Sequence, residues 1–335
     1  MKKVIFFTSL LLVFALSACS SKPTTTLTYS IFFPPTHSQV KVATDWAQEI
    51  EKRTKGEIKI NILSGGSLTP AHQCYDGVVK GISDIGMSAF AYTKGRFPVM
   101  EALDLPLGYS SGKVATRVAN QFFAKQNPAE LNEVKVLYLH AHGPGLLHTA
   151  KPIKTLRDLK GQKIRATGSS ASIITSLGGV AVAMPQGETY EALKRGVVDG
   201  TIGPIEVLKG WKQAEVIKST TDCSAIGYTT AFFVVMNKQK WDGLSAEAQR
   251  VFLDVSAEFI DKHGEAWDAD DVIGRQYTIE KGNGIVSLDA TEVKRWEKAV
   301  QPITAEYAKG TQLKGLPGVA ILADLREFIK AETAK

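Results

Sequence analysis

The sequence predicts an α/β protein built as two lobes, and three observations carry that prediction. Segments with the period-two pattern of strands alternate with helical patterns along most of the chain. The 317 residues from Cys19 onward exceed the size at which a single core keeps growing. A ten-residue pattern also occurs twice, 115 positions apart, as two lobes built on one turn would require.

The chain opens with Met1-Lys2-Lys3 and runs apolar from Val4 to Ala18, a cationic region and a hydrophobic stretch that together read as a secretory signal over residues 1–18. At about 1.5 Å per residue such a stretch falls short of a hydrocarbon core of roughly 30 Å. It ends in Leu16-Ser17-Ala18-Cys19, which resembles a bacterial lipobox, so Cys19 is the expected lipidation site. Residues 19–26 are polar and without periodicity, as a tether would be. Two or three acyl chains on Cys19 would anchor the protein firmly, whereas one chain binds only marginally. The expected location is therefore the periplasm, with the body lipid-anchored to a membrane.

Leu27 to Phe32 alternates as a strand and stops at Pro34-Pro35. Ser38 to Thr54 places Val42, Trp46 and Ile50 four apart, the stripe of an amphipathic helix that Gly56 ends. Glu57 to Leu63 alternates again, and strand, helix, strand in succession implies parallel pairing. Further strands are expected at 85–88, 134–140, 163–166, 200–202 and 231–236. The repeated pattern is Tyr75 to Asp84 against Tyr190 to Asp199, in which a helix ends at Gly81 or Gly196 and an Asp leads into a strand. Strand ends near 86–90 and 202–206 would then face one cleft, because ligands of open α/β sheets sit at carboxyl ends of strands. Beyond Met236 the pattern is mainly helical: Ser245 to about Ile273, then a strand at Gly284 to Leu288, then helices Glu292 to Lys309 and Val319 to Lys330. The expected division is residues 27–145 with 237–270 as the first lobe, and residues 146–236 with 271–335 as the second. Hinges are expected around His140 to Leu147 and Thr230 to Asn237.

Composition narrows the function classes. Forty basic residues against 34 acidic ones, without a Lys/Arg block, do not point to nucleic acid. The longest apolar run after the signal, Ala231 to Met236, is of strand length. Cys74 and Cys223, far apart in sequence, read as free buried thiols, although an oxidising compartment would allow them to pair. No phosphate loop, dinucleotide fingerprint, C-x-x-C, H-E-x-x-H or G-x-S-x-G motif is present, so neither catalysis nor a cofactor is implied. His140, His142 and His148 invite a metal reading, but residues 134–157 contain no acid or Cys to join them. The expectation is that one of them lines a pocket while the others cap or pack. Glu49 with Glu51, and Asp268 with Asp270 and Asp271, read as solvated faces of charged helices.

Several motifs in order then resemble one family: Thr54-Lys55-Gly56-Glu57-Ile58, Gly65-Gly66-Ser67-Leu68, Gly81-Ile82-Ser83-Asp84-Ile85-Gly86, Phe97-Pro98 with Leu105-Pro106, Leu156 to Arg165, Gly196-Val197-Val198-Asp199-Gly200, and Met236-Asn237-Lys238 before Trp241. The resemblance is to the extracytoplasmic solute-binding subunits of tripartite ATP-independent periplasmic (TRAP) transporters, and it covers nearly all of the chain after the tether. It implies two lobes linked by strands and a long helix, closing on an organic acid that passes to a small and a large membrane subunit. A monomer is expected. Arg165 matches the arginine that in this family pairs with the ligand carboxylate, and a planar bidentate donor at a strand end suits that role. Lys163, on the same strand face, would be a second, weaker cation.

Against the sialic-acid-binding branch the matching positions carry Phe32, Ala71, Ala89, Gly145, Gln186 and Gly203, so a second arginine near Gly145 and an amide near Gly203 are missing. With Phe33, Phe90 and Tyr92 nearby, this describes a largely apolar pocket with one strong anion anchor. The candidate ligand contacts are thus Arg165, Phe32, Phe33, Ser88, Ala89, Phe90, Tyr92, His142, Gly145, Gln186 and Gly203. The expected ligand is a bulky monocarboxylate, such as an aromatic or indole-type keto or hydroxy acid. A C4-dicarboxylate is the alternative ligand, and a periplasmic sensor of the same acid is the alternative use.

Overall fold

The computed structural model describes residues 24–335, so the expected secretory signal over residues 1–18 and the expected lipidation site Cys19 lie outside the described residues. Its elements in chain order are β1 (Thr25–Ile31), α1 (Ser38–Arg53), β2 (Ile58–Leu63), α2 (Cys74–Val79), β3 (Ile85–Ala89), α3 (Gly112–Gln126), β4 (Val134–Ala141), β5 (Leu146–Thr149), α4 (Leu156–Leu159) and β6 (Lys163–Arg165). They continue with α5 (Ser169–Ser176), β7 (Val180–Val182), α6 (Gln186–Lys194), β8 (Gly200–Gly203), α7 (Val207–Gly210), β9 (Ser219–Asp222), β10 (Ala231–Asn237), α8 (Lys238–Asp242) and α9 (Ala246–Glu280). The chain closes with β11 (Gly284–Ser287), α10 (Ala290–Val300), α11 (Pro302–Gln312) and α12 (Gly318–Thr333).

Two sheets form the lobes. The first has the order β2-β1-β3-β10-β4 and the second β11-β9-β5-β8-β6-β7. The opening β1-α1-β2 unit pairs in parallel, Leu27 opposite Ile60, and α1 buries Trp46 and Ile50 behind it. The polar tether is shorter than expected: Thr25 and Thr26 already belong to β1, where the backbone of Ile58 and Lys59 gives them partners. The division between lobes also differs. β10 pairs antiparallel with both β3 and β4 and so completes the first sheet, not the second. Its residues are buried throughout, as a strand inserted mid-sheet must be. The helix expected from Glu292 to Lys309 is two helices meeting at Pro302, which takes a first-turn position where its missing N–H costs nothing. The last helix, α12, packs against α3 of the first lobe.

The repeated turn has the same physical job twice. Gly81 and Gly196 both adopt positive φ, 72° and 67°. Asp84 then accepts from the N–H and hydroxyl of Thr28 in the middle of β1, and Asp199 accepts from the N–H of Lys163 at the start of β6. Each Asp thereby sets the register of a parallel pair, β1 with β3 and β6 with β8.

The lobes are joined where β4 passes to β5, where β9 passes to β10, and along α9. Ser245 caps α9 by accepting from the Ala248 N–H. The helix buries Phe252, Val255 and Phe259 against the first lobe and continues past Ile273 to the second. Gly274 permits that continuation, since a Cβ there would stand 2.7 Å from the Ile205 carbonyl oxygen and 2.8 Å from Glu206 Cα. Among the described residues no helix is long and apolar enough to cross a membrane. Cys74 and Cys223 are free and buried, and burial pushes each thiol up to about 12.

Candidate functional site

Between the lobes lies a small cavity of about 40 Å3. The end of β1 supplies Phe32 and Phe33, the turn after β3 supplies Tyr92, and the two strand crossings supply His142, Tyr228 and Thr230. From the second lobe come Arg165 at the end of β6, Gln186 at the start of α6, Gly203 at the end of β8, and Trp211; α9 adds Trp267. The aromatic rings form a continuous wall. Phe32 stacks parallel to Trp211 with centroids 6.1 Å apart, Phe232 stacks on Trp267 at 5.5 Å, and Tyr92 meets Phe32 edge-on at 5.4 Å.

Arg165 is the one cation on this wall. It is 6 % exposed, and its Nε donates to the Met184 carbonyl at 2.9 Å, which fixes the guanidinium plane. Tyr92 stands on the same wall, close enough for the Arg165 charge to act on its hydroxyl. Among the described residues no carboxylate forms an ion pair with it, although sixteen other such pairs hold elsewhere on the chain. A buried guanidinium without an anion is costly, so the site is arranged to receive one. Gln186, 7 % exposed, has an unpartnered Nε2, while its backbone N–H donates to Tyr92 Oη at 3.3 Å. Lys163 is exposed at the far end of β6 and takes no part in the wall.

The expected contacts separate into two groups. Phe32, Phe33, Tyr92, His142, Arg165, Gln186 and Gly203 come together on the cavity wall. Ser88, Ala89, Phe90 and Gly145 do not. Ser88 Oγ donates to the Ala71 carbonyl at 2.7 Å, Ala89 packs in the first-lobe core, and Phe90 turns away against Phe97 and Phe233. Ser88 and Ala89 end the central strand β3, which is buried on both faces, and Phe90 opens the turn that follows it. Gly145 lies directly behind Tyr228: a Cβ would stand 2.0 Å from Tyr228 Cε1. The tyrosine ring thus fills the space in which a side chain at 145 would lie. Trp211, Tyr228, Phe232 and Trp267 had no sequence signal beyond being aromatic, and the fold alone collects them.

The three histidines separate as well. His140 accepts from Trp267 Nε1 at 3.0 Å within the core, and His148 donates from Nε2 to the Gly203 carbonyl at 3.1 Å while Nδ1 accepts from Thr220. Only His142 of the three lines the cavity. Among the described residues no cluster of His, Cys, Asp and Glu could hold a metal ion.

Asp268, Asp270 and Asp271 are not a solvated helix face. Asp268 accepts from the N–H groups of Gly112 and Lys113 at the start of α3, and Asp270 takes the Ser38 hydroxyl at the start of α1. Asp271 reaches the other lobe and accepts from the Glu206 N–H at 3.1 Å. Burial, reinforced by the charge of Glu206, pushes Asp271 up to about 8; burial likewise raises Asp270 to about 6. Glu206 itself accepts from His37 Nε2 at 3.1 Å, because His37 Nδ1 already accepts from the Gln39 N–H. One stretch of α9 therefore ties down segments of both lobes beside the cavity.

Comparison with known proteins places the chain. The family of bacterial extracellular solute-binding proteins, family 7, matches residues 29–310. A TRAP solute-binding protein from Rhodoferax ferrireducens, solved with copurified benzoate, is 27 % identical over 93 % of this chain and 99 % of its own, with a TM-score of 0.88. One from Bordetella bronchiseptica, solved with (R)- and (S)-mandelate, is 28 % identical over 92 % of this chain and 99 % of its own, with a TM-score of 0.85. The 2,3-diketo-L-gulonate-binding periplasmic protein YiaO of Escherichia coli is 31 % identical over 67 % of this chain and 69 % of its own.

Proposed function

This chain belongs to the family 7 bacterial extracellular solute-binding proteins, the DctP-type receptors of TRAP transporters, and we propose that its ligand is a bulky, ring-bearing monocarboxylate held by Arg165. The family is one of transport receptors and not of enzymes. The observation that carries the ligand reading is the buried Arg165 guanidinium, which among the described residues lacks an acidic ion-pair partner and stands on a wall rich in aromatic rings. A carboxylate would neutralise it with two parallel hydrogen bonds, and an aryl or indole body would cover Phe32, Trp211 and Trp267. A second carboxylate, as on a C4-dicarboxylate, would find no second cation on the wall. Benzoate and mandelate in relatives of 27–28 % identity fit the same chemistry.

Lipidation at Cys19 would keep the receptor at the membrane that holds the two transporter subunits, so the captured acid has a short path to them. The relative that binds diketogulonate supplies a second reading, a polyhydroxylated acid. Such a ligand would draw on Thr167, Ser170, Gln186 and Thr230, which line the cavity beside the rings. A thermal-shift panel of benzoate, mandelate, indole-3-acetate, succinate, malate and diketogulonate tests the choice. Aryl and indole acids at a hundredfold excess over their dissociation constants should stabilise the protein by about 2.7 kcal/mol. Stabilisation by succinate or diketogulonate, and none by the aryl acids, would refute it.

A further inference from the structure

The cavity wall presents donors at Arg165 and Gln186, but it also presents an acceptor that a carboxylate cannot use. His142 is 3 % exposed and is held by the crossing strands, with its carbonyl accepting from Thr229 Oγ1 at 2.5 Å. Its Nδ1 lies 2.5 Å from the Gly143 carbonyl oxygen. A carbonyl only accepts, so Nδ1 must carry the hydrogen. Burial pushes the imidazole down to about 4, and the charge of Arg165 acts in the same direction, so the ring is neutral at physiological pH. Nε2 is then a bare lone pair.

The surroundings leave that lone pair to the cavity. The rings nearest His142 are Tyr228 at 5.8 Å, Trp267 at 6.1 Å and Phe232 at 6.2 Å, and the Trp267 N–H is already given to His140. The other buried histidines differ. His148 Nε2 bonds Gly203, His263 Nε2 accepts from Tyr138, and the unpartnered His140 Nε2 is sealed between His263 and Phe232. Glu206, the one carboxylate on the wall, takes the His37 N–H.

We infer that His142 Nε2 accepts a hydrogen bond from a hydroxyl of the bound acid, which makes the receptor selective for hydroxy acids over deoxy and oxo acids of the same shape. The inference rests on reading the cavity as an organic-acid site. A deoxy acid would desolvate Nε2 without replacing its partner, and an oxo acid would set one acceptor against another; a site built to bond a hydroxyl rejects both.

Calorimetric titration of the mature protein with two sets of probes tests this. One is mandelate, phenylacetate and phenylglyoxylate, which share ring and carboxylate and differ at one carbon; the other is 3-hydroxybenzoate with benzoate. In at least one set the hydroxy acid should bind about tenfold tighter. The preference should vanish in His142→Leu and persist in His142→Gln, which keeps an acceptor. Equal affinities within both sets, or a preference unchanged in His142→Leu, would overturn the inference while leaving the organic-acid reading intact. Binding of none of the five acids would overturn both. A long-range proton–nitrogen NMR spectrum reports on the unaltered protein: Nε2 should appear as a bare acceptor and shift with the hydroxy acid only, and a protonated Nε2 in the free protein contradicts the assignment.

Discussion

Replacing Gly145 by alanine should damage stability and ligand affinity together, through Tyr228. The added Cβ would stand 2.0 Å from Tyr228 Cε1, 2.4 Å from Cζ and 2.7 Å from the hydroxyl, where carbon atoms normally rest about 3.5–4.0 Å apart. The ring would have to retreat by about 1.5 Å to restore that spacing. It is fully buried, and its backbone is tied to the same glycine by the hydrogen bond from Gly145 N–H to the Tyr228 carbonyl at 3.1 Å. Sliding the segments apart would break that bond, so the ring must move toward the cavity it lines. Overpacking of this kind costs about 1–3 kcal/mol, or a drop of several degrees in melting temperature at about 2–4 °C per kcal/mol. Calorimetric melting and titration with benzoate would measure both effects. Tyr228→Ala in the same chain should recover part of the stability lost, as a favourable coupling, because it removes the clashing atoms. A Gly145→Ala protein that melts within a degree of the parent and binds benzoate equally would refute this account of the wall.

Two further outcomes follow from the described chemistry and the chain's beginning. Asp271 is pushed up to about 8 by burial and by the charge of Glu206, with Asp268 and Asp270 adding to the effect. The folded protein thus keeps a proton that the unfolded chain releases near pH 4, so this group makes stability fall as pH rises from about 4 to about 8. Asp271→Asn keeps an acceptor for the Glu206 N–H, and its melting temperature should decline less over that window; parallel pH profiles would show that Asp271 does not titrate there. Cys19→Ala should move the protein from the membrane fraction to the soluble one, and an unchanged distribution would exclude lipid anchoring at that residue.

How much was legible in the sequence depends on how local each cause is. The turns at Gly81 and Gly196 could be read because helix end, positive φ and Asp are coded within ten residues. The place of β10 could not, since it depends on pairing with β3 and β4, whose partner residues lie 90 or more positions upstream. The short strands β5, β7 and β9 carry three or four residues each, too few for a period to show. The acids of α9 were misread because charge on a helix normally signals water, whereas these carboxylates accept from the Ser38 hydroxyl, the first N–H groups of α3 and the Glu206 N–H. At the site, Arg165, Phe32, Phe33 and Gln186 were legible through motif and residue type. Trp211, Tyr228 and Trp267 were not, because only the crossing strands and α9 bring them to one wall.

The central claim is that Arg165 holds the carboxylate, and titration of Arg165→Met with the tightest acid of the panel tests it most directly. Methionine fills much the same space and removes a buried cation that lacks an acidic partner, so the unliganded variant should melt no lower than the parent by more than a few degrees. Its affinity should fall by about a hundredfold or more, the loss of a charge-assisted bidentate pair. A variant that stays folded and binds the acid within threefold of the parent would contradict the account.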